Sequence, residues 1–349
     1  MMMTESIQSL PRGARVLVTG ATGFTGQALT RQLAEAGADI RAIARASSNL
    51  APLADLPVRW FRGDVFEPAV IREAVADVEY VFHVAALYRE ARHPDEQYWK
   101  VHVQSTQELA RAVRGRPGFR RFVHVSTIGV HGHIENPPAD ENYPFHPGDI
   151  YQKTKAEAEL WLRDFAAKEG LPFSVIRPAA IYGPGDRRLF KLFKMAARGW
   201  FPLLGRGKCL YHLIHVEDLA AGLRLAAVHP AAAGEVFICG NPEAIRLEDM
   251  GRAIAAALGR RLRVIRLPVG PVFVLADLCE LACRPFGIEP PLYRRRVAFY
   301  TKDRSFDTRK IREKLGFQYR YSSEAGLRQT TEWYVGAGWL RGAGRPAAS

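Results

Sequence analysis

Three glycines set the frame for this chain. Gly20-Ala21-Thr22-Gly23-Phe24-Thr25-Gly26 follows an apolar strand, Arg15 to Thr19, and runs directly into an amphipathic stretch, 27–36, that Gly37 ends. Gly20 permits a tight turn, Gly23 lets backbone approach a pyrophosphate, and Gly26 lets helix and strand touch. The start of the helix then offers free N–H groups and the positive end of its dipole to phosphate. A glycine trio alone is common. Placed between a strand and a helix near the N-terminus, it specifies a dinucleotide-binding unit. Gly20, Thr22, Gly23, Phe24, Thr25 and Gly26 are therefore expected against a nucleotide cofactor.

The rest of the chain keeps that rhythm. Asp39 to Ala44 and the segments 58–61, 80–84, 121–126 and 173–176 read as short apolar strands, with helical patterns at 68–76, 101–113 and 153–168. Strands alternating with helices at this spacing predict an α/β fold, a doubly wound parallel Rossmann sheet. Beyond Arg177 the rhythm changes. A loop at 178–185 precedes helices at 189–198, 216–228 and 247–258, then a strand at 263–267. The expected division is a dinucleotide domain at 14–180 and 209–240, and a smaller, mostly helical substrate domain at 181–208 and 241–335. Flexible tails are expected at 1–13 and 336–349.

With 349 residues, 48% hydrophobic and 24% charged, the chain can bury a large core. Its net charge of +13 favours anions: a phosphorylated cofactor, an acidic substrate or an anionic membrane surface. Nucleic acid is not expected, because no basic stretch is interleaved with aromatics. Cys209, Cys239, Cys279 and Cys283 form neither a disulfide framework nor a metal-binding spacing, so free thiols in a reducing, cytoplasmic setting are expected. No secretory signal is read at the start and no run reaches the length of a membrane span.

The end of the second strand selects the cofactor. An acidic side chain there grips ribose hydroxyls, whereas arginine receives a 2′-phosphate. Here the strand ends Ile43-Ala44-Arg45, followed by Ser47 and Ser48. Arg45 suits bidentate phosphate pairing, so NADP is preferred, with NAD tolerated if Arg45 instead stacks on adenine.

Further motifs carry a family resemblance: Gly63-Asp64-Val65, His83-Val84-Ala85-Ala86, Tyr151-Gln152-Lys153-Thr154-Lys155, and Arg177-Pro178 leading to Ile181-Tyr182-Gly183-Pro184. Over residues 15–333 the chain resembles an extended short-chain dehydrogenase/reductase of the NAD-dependent epimerase/dehydratase superfamily. The resemblance implies that Asp64 holds the adenine amine, that Val65 lines its pocket, and that Ala85 and Ala86 pass under the cofactor with Pro178 nearby. It makes Thr127 the catalytic hydroxyl, with Ser126 its neighbour, and Tyr151 and Lys155 the acid–base pair. One helical turn separates Tyr151 from Lys155, so both can face one cofactor. A free tyrosine has a pKa near 10, and a neighbouring ammonium favours its phenolate. Tyr151 is then suited to exchange a proton with a substrate hydroxyl, Thr127 to orient that oxygen, and Lys155 to hold the nicotinamide ribose. One departure stands out. His102 occupies the place where the family usually has asparagine, and it reads as a packing residue that bridges backbone groups.

The branch most similar is that of 3β-hydroxysteroid and sterol-4-carboxylate 3-dehydrogenases, on the run from Phe306-Asp307-Thr308-Arg309-Lys310 to Trp333-Tyr334. It implies interconversion of a hydroxyl and a ketone on a bulky apolar substrate, with Tyr88, Thr127 and Tyr182 against it. Nucleotide-sugar epimerases or dehydratases and dihydroflavonol-type reductases are the alternatives. Ala180, where sugar-nucleotide members carry asparagine, and Tyr211 to Ile214, which lack their arginine, weigh against a diphosphate, although Arg206 or Lys208 would substitute. A cofactor-binding sensor without catalysis is the non-enzymatic reading. Finally, Val269 to Cys283 is almost wholly apolar and precedes Arg294-Arg295-Arg296. Three readings stand for it: a core helix of the small domain, a substrate lid, or a peripheral contact with the inner face of a membrane. A homodimer is also among the expectations.

Overall fold

Seven parallel strands form the central sheet of the computed structural model, which describes residues 10–88, 93–205, 207, 209–286, 290–291, 297 and 304–340. In chain order these are β1 (Arg15–Thr19), β2 (Asp39–Ala44), β3 (Val58–Arg62), β4 (Tyr80–His83), β5 (Arg121–Val125), β6 (Phe173–Pro178) and β7 (Glu235–Cys239). Across the sheet they run β7-β6-β5-β4-β1-β2-β3. Val16 pairs with Ile40 on one side and with Tyr80 on the other, so the winding reverses between β1 and β4. A crevice opens at the carboxyl ends of strands where such a reversal occurs, and ligands bind there.

Both faces of the sheet are covered, which is why its strands are apolar almost without interruption. Val16 and Val18 pack with Leu29, Leu33, Leu219 and Leu223, from the helices Phe24–Glu35 (α1) and Val216–Val228. Leu17, between them, points the other way to Val81, Leu109, Phe122 and Leu162, under the helices Ser105–Val113 and Ile150–Glu169. Each such side chain, fully buried, contributes about 1.5–3 kcal/mol. A separate cluster of Tyr182, Phe193, Phe201, Met250, Ile254, Leu327 and Tyr334 forms the core of the smaller unit. There the strand Trp200–Leu204 pairs in parallel with Arg263–Leu267, and the helices Phe190–Ala197, Leu247–Ala257 and Ser323–Gly336 pack around them.

Three features differ from the sequence expectation. β7 is an additional strand; a five-residue apolar run is ambiguous until its pairing with β6 decides it. The pattern at 101–113 starts earlier, as Asp95–Tyr98, and passes through a π-helical segment, Trp99–Gln104, before Ser105–Val113. The described ends of the tails expected at 1–13 and 336–349 join the folded body. Leu10 is buried in the main core, and Trp339 stacks on Tyr334 with Leu340 buried beside it. Residues 1–9 and 341–349 lie outside the described residues.

Candidate active site

A cleft of about 910 Å³ lies at the carboxyl ends of the strands. The glycine loop forms one wall. Gly20 has φ +72°, and a Cβ there would lie 2.8 Å from the Ala85 Cα; one on Gly26 would lie 2.0 Å from the Gly20 carbonyl oxygen. Only glycine lets the loop sit this close to the chain leaving β4. Gly23 caps α1 without a side-chain hydrogen bond, and the first turn holds no acidic residue. The N–H groups at that end are thus available to an anion. Gln27 Nε2 donates to the Thr22 carbonyl at 2.8 Å and steadies the loop. Thr22, Phe24, Thr25, Arg45, Asp64, Val65, Ala85, Ala86 and Pro178 line the same cleft. A cradle that a Cβ would fill, an uncapped helix start and an exposed arginine at the end of β2 together fit a phosphorylated dinucleotide.

Tyr151 and Lys155 enter the cleft from the helix Ile150–Glu169. Asp149 caps that helix by accepting from the Gln152 N–H at 2.8 Å, which places Tyr151 in the first turn. Lys155 follows one turn on. It is 2% exposed, and its Nζ donates to the Val125 carbonyl at 2.5 Å. Burial lowers its pKa to about 8. Thr127, just beyond β5, accepts from the Gly129 N–H at 3.0 Å, which leaves its hydroxyl proton to donate. Ser126 beside it is buried, and its Oγ has no hydrogen-bond partner among the described residues. Thr127, Tyr151, Lys155 and the glycine loop all border this one cleft.

His102 ties the site together. The Leu87 N–H donates to its Nε2 at 3.0 Å, so Nδ1 carries the proton and faces Thr154 Oγ1 at 2.7 Å. Its ring meets that of Tyr151 edge-on, with centroids 5.4 Å apart at 84°. Burial, then the charge of Lys155, holds its pKa well below the usual histidine value, so it stays neutral. The π-helical segment delivers this side chain; such irregular turns recur at functional sites. Deeper in, Thr19 Oγ1 lies 2.8 Å from His83 Nδ1 and accepts from the Ala85 N–H at 3.2 Å, fixing the backbone beneath the glycine loop.

The opposite wall is more open. Tyr88 is exposed and meets Tyr151 edge-on at 6.0 Å. Arg188 lies over Tyr88 at 5.4 Å and over Phe24 at 5.8 Å, with its Nε held 3.2 Å from an Asp186 oxygen. Tyr182 corrects the sequence expectation. It is fully buried outside the cleft, its hydroxyl donating to the Ser323 carbonyl at 3.4 Å and its ring lying against Gly326. In the strand Ala180–Tyr182 it is Ala180 and Ile181 that line the cleft, and Tyr182 belongs to the core of the smaller unit. Arg188, Leu189, Tyr211, His212 and Arg304 also line the cleft and were not anticipated as site residues. They come from loops and distant segments without a local motif; only the Arg187-Arg188 pair after the Gly183-Pro184-Gly185 loop hinted at a cation there. Arg206, Lys208 and Arg294-Arg295-Arg296 lie outside the described residues.

Comparison with known proteins agrees with this geometry. Residues 16–240 match the model of the NAD dependent epimerase/dehydratase family. A 3 beta-hydroxysteroid dehydrogenase/Delta 5-->4-isomerase of Mycobacterium tuberculosis is 31% identical over 339 residues, covering 92% of this chain and 90% of its own length. Among solved structures, gox2253 superposes with a TM-score of 0.79 at 27% identity, covering 95% of this chain and all (100%) of that one. MoeE5, solved with UDP-glucuronic acid and NAD, does so with a TM-score of 0.72 at 25% identity, covering 93% and 100%. With its glycine cradle and Rossmann sheet, the chain belongs to the NAD dependent epimerase/dehydratase family and is a nicotinamide-dependent oxidoreductase.

Proposed function

We propose that the protein is an NADP-linked dehydrogenase that interconverts a hydroxyl and a ketone on a bulky, apolar, sterol-like substrate. The observation that carries this reading is the apolar part of the cleft that Tyr151 enters. Leu87, Tyr88, Val101, Ala180, Ile181 and Leu189 line it, an apolar surface suited to a fused-ring alcohol. The similarity to a 3β-hydroxysteroid dehydrogenase supports the same substrate class.

In this reading Tyr151 exchanges a proton with the carbinol oxygen, and Thr127 donates to that oxygen and orients it. Lys155, buried beneath, provides the positive charge that favours the phenolate. The nicotinamide, when bound, supplies the hydride acceptor or donor. His102 holds the Tyr151 ring from the side and presents no charge of its own. Arg45 receives the 2′-phosphate, since no acid stands at the end of β2 to hold a bare ribose. If the substrate carries a carboxylate next to the alcohol, oxidation yields a β-keto acid, which loses carbon dioxide through its enol. Arg188 is the cation placed to meet such a carboxylate.

That same arginine, together with Arg304, favours a second reading, a nucleotide-sugar epimerase or dehydratase, because a diphosphate needs cations on this wall. Purified protein mixed with NADP or NAD and a panel of 3β-hydroxysteroids, sterol carboxylates and UDP-sugars separates the two. Net reduced nicotinamide with a steroid, seen by absorbance, supports the first. Sugar conversion without net reduced nicotinamide replaces it with the second.

A further inference from the structure

The helix Val269–Cys283 is built inside out. Helical spacing puts Val272, Ala276, Cys279 and Cys283 on one side and Val274, Leu275, Leu278 and Leu281 on the other. The small side faces the protein: Ala276 is the helix's one buried residue, and Val272, Cys279 and Cys283 are half-buried. The large side faces out, with Val274, Leu275, Leu278 and Leu281 57–66% exposed and Phe286, just past the helix, 76% exposed. A soluble surface helix does the reverse, and a helix apolar on every side is ordinarily covered all round.

The strand that feeds this helix is apolar on its outer side as well. In the pair Trp200–Leu204 with Arg263–Leu267, Phe201 and Leu203 point into the core. The alternate residues point out, and Trp200, Ile265 and Leu267 are each more than a third exposed. Leu267 leads through Pro268 directly into the helix. Strand face and helix face thus supply eight exposed large apolar side chains between Trp200 and Phe286. Scattered single apolar residues are normal on a surface; Val274, Leu275, Leu278 and Leu281, gathered on one side of one helix, mark an interaction site.

Cations flank it at both ends. Arg198, Arg260, Arg261 and Arg263 are exposed at the Trp200 end, and Arg284 is exposed beside Phe286. Asp277 and Glu280 lie along one edge of the helix, with Asp277 bordering Val274 and Leu281. No helix among the described residues is long and apolar enough to cross a membrane, so any lipid contact here is from the surface.

We propose that this face docks the protein on an anionic lipid bilayer, with the leucines and Phe286 entering the acyl boundary and the arginines meeting the headgroups. A second copy of the chain is the rival occupant, and charge disfavours it. The chain carries +13, and a two-fold contact through this face would bring Arg284 and the Arg260–Arg263 rim against each other or against their own copies, like charge on like charge either way. An anionic bilayer matches both halves of the patch: apolar area drives insertion, and each arginine near the surface adds roughly fivefold to binding.

The test is flotation with vesicles of phosphatidylcholine plus phosphatidylserine, and with phosphatidylcholine alone, at low and high salt. The full chain is expected to float with the anionic vesicles at low salt, and roughly tenfold or more less with neutral vesicles or in high salt. The double variant L278D/L281D should stay behind, its partition lower by at least roughly a hundredfold. Both positions face solvent, so its thermal midpoint and its cofactor binding should match the parent. The proposal is overturned if the parent fails to float with anionic vesicles, or if the variant floats as the parent does. It is equally overturned if the parent runs as a dimer on gel filtration that L278D/L281D converts to a monomer, since the face is then a protein interface.

Discussion

In the proposed function Arg45 is the residue that selects NADP over NAD. A charge-assisted hydrogen bond is worth about 1.5–3 kcal/mol, so Arg45→Ala should weaken NADP binding by roughly tenfold to a hundredfold and leave NAD nearly unchanged. Titration with each dinucleotide measures both, and an equal loss for the two would show that Arg45 only stacks. His102 acts through its neighbours. Its Nε2 satisfies the Leu87 N–H, and its ring edge braces Tyr151. His102→Leu leaves that N–H unpaired and frees the phenol, so kcat should fall about tenfold or more with KM little changed, and His102→Asn should recover part of the loss. A loss confined to KM would contradict a positioning role. At this scale much of the site was legible. The glycine spacing and the Tyr151–Lys155 interval are local features, and every residue they name lines the cleft. Tyr182 was not legible: in a strand one step of register separates cleft from core, and only the packed structure shows which side a ring takes. Arg188 and Arg304 were missed because distant loops bring them in.

Elements set where these side chains stand, and the first turn of α1 lies close against the glycine loop. A Cβ on Gly26 would sit 2.0 Å from the Gly20 carbonyl oxygen, inside van der Waals contact with backbone that cannot move aside. Gly26→Ala should therefore lower stability by about 1–3 kcal/mol and abolish tight dinucleotide binding. Denaturant melts and cofactor titration test this together, and a variant that kept both would show the loop to be looser than described. Strands and helices with strong periodicity were readable in the chain: Val216–Val228 and Arg263–Leu267 fall where hydrophobic spacing puts them. The π-helical segment Trp99–Gln104 was not, because no local residue pattern distinguishes it from an ordinary turn. The apolar segment 269–283 announced its helix, and only its burial shows that the large residues face outward.

For the whole molecule, the alternation of strands and helices fixed the doubly wound class, while β7 and the order of its pairing are tertiary facts. The fold buries several histidines in neutral form. Burial lowers the His83 pKa from 6.5 to about 3, and those of His131 and His215 to about 4. An unfolded chain takes up these protons near pH 6.5, while the folded one refuses them until pH 3–4. Their contribution to stability is thus complete above pH 6.5 and drains away as the pH falls. The thermal midpoint should drop by several degrees from neutral pH to the pH 5 region, and a flat profile would contradict the burial of neutral imidazoles. In the proposed function the Tyr151 phenol moves the substrate proton at the mouth of the dinucleotide cleft. The most direct measurement is the single-turnover rate of nicotinamide reduction by a 3β-hydroxysteroid in the parent and in Tyr151→Phe, with NADP affinity measured alongside. The Tyr151→Phe rate should be lower by about 10²–10⁴-fold with NADP affinity retained. An undiminished rate in the phenylalanine variant would contradict it.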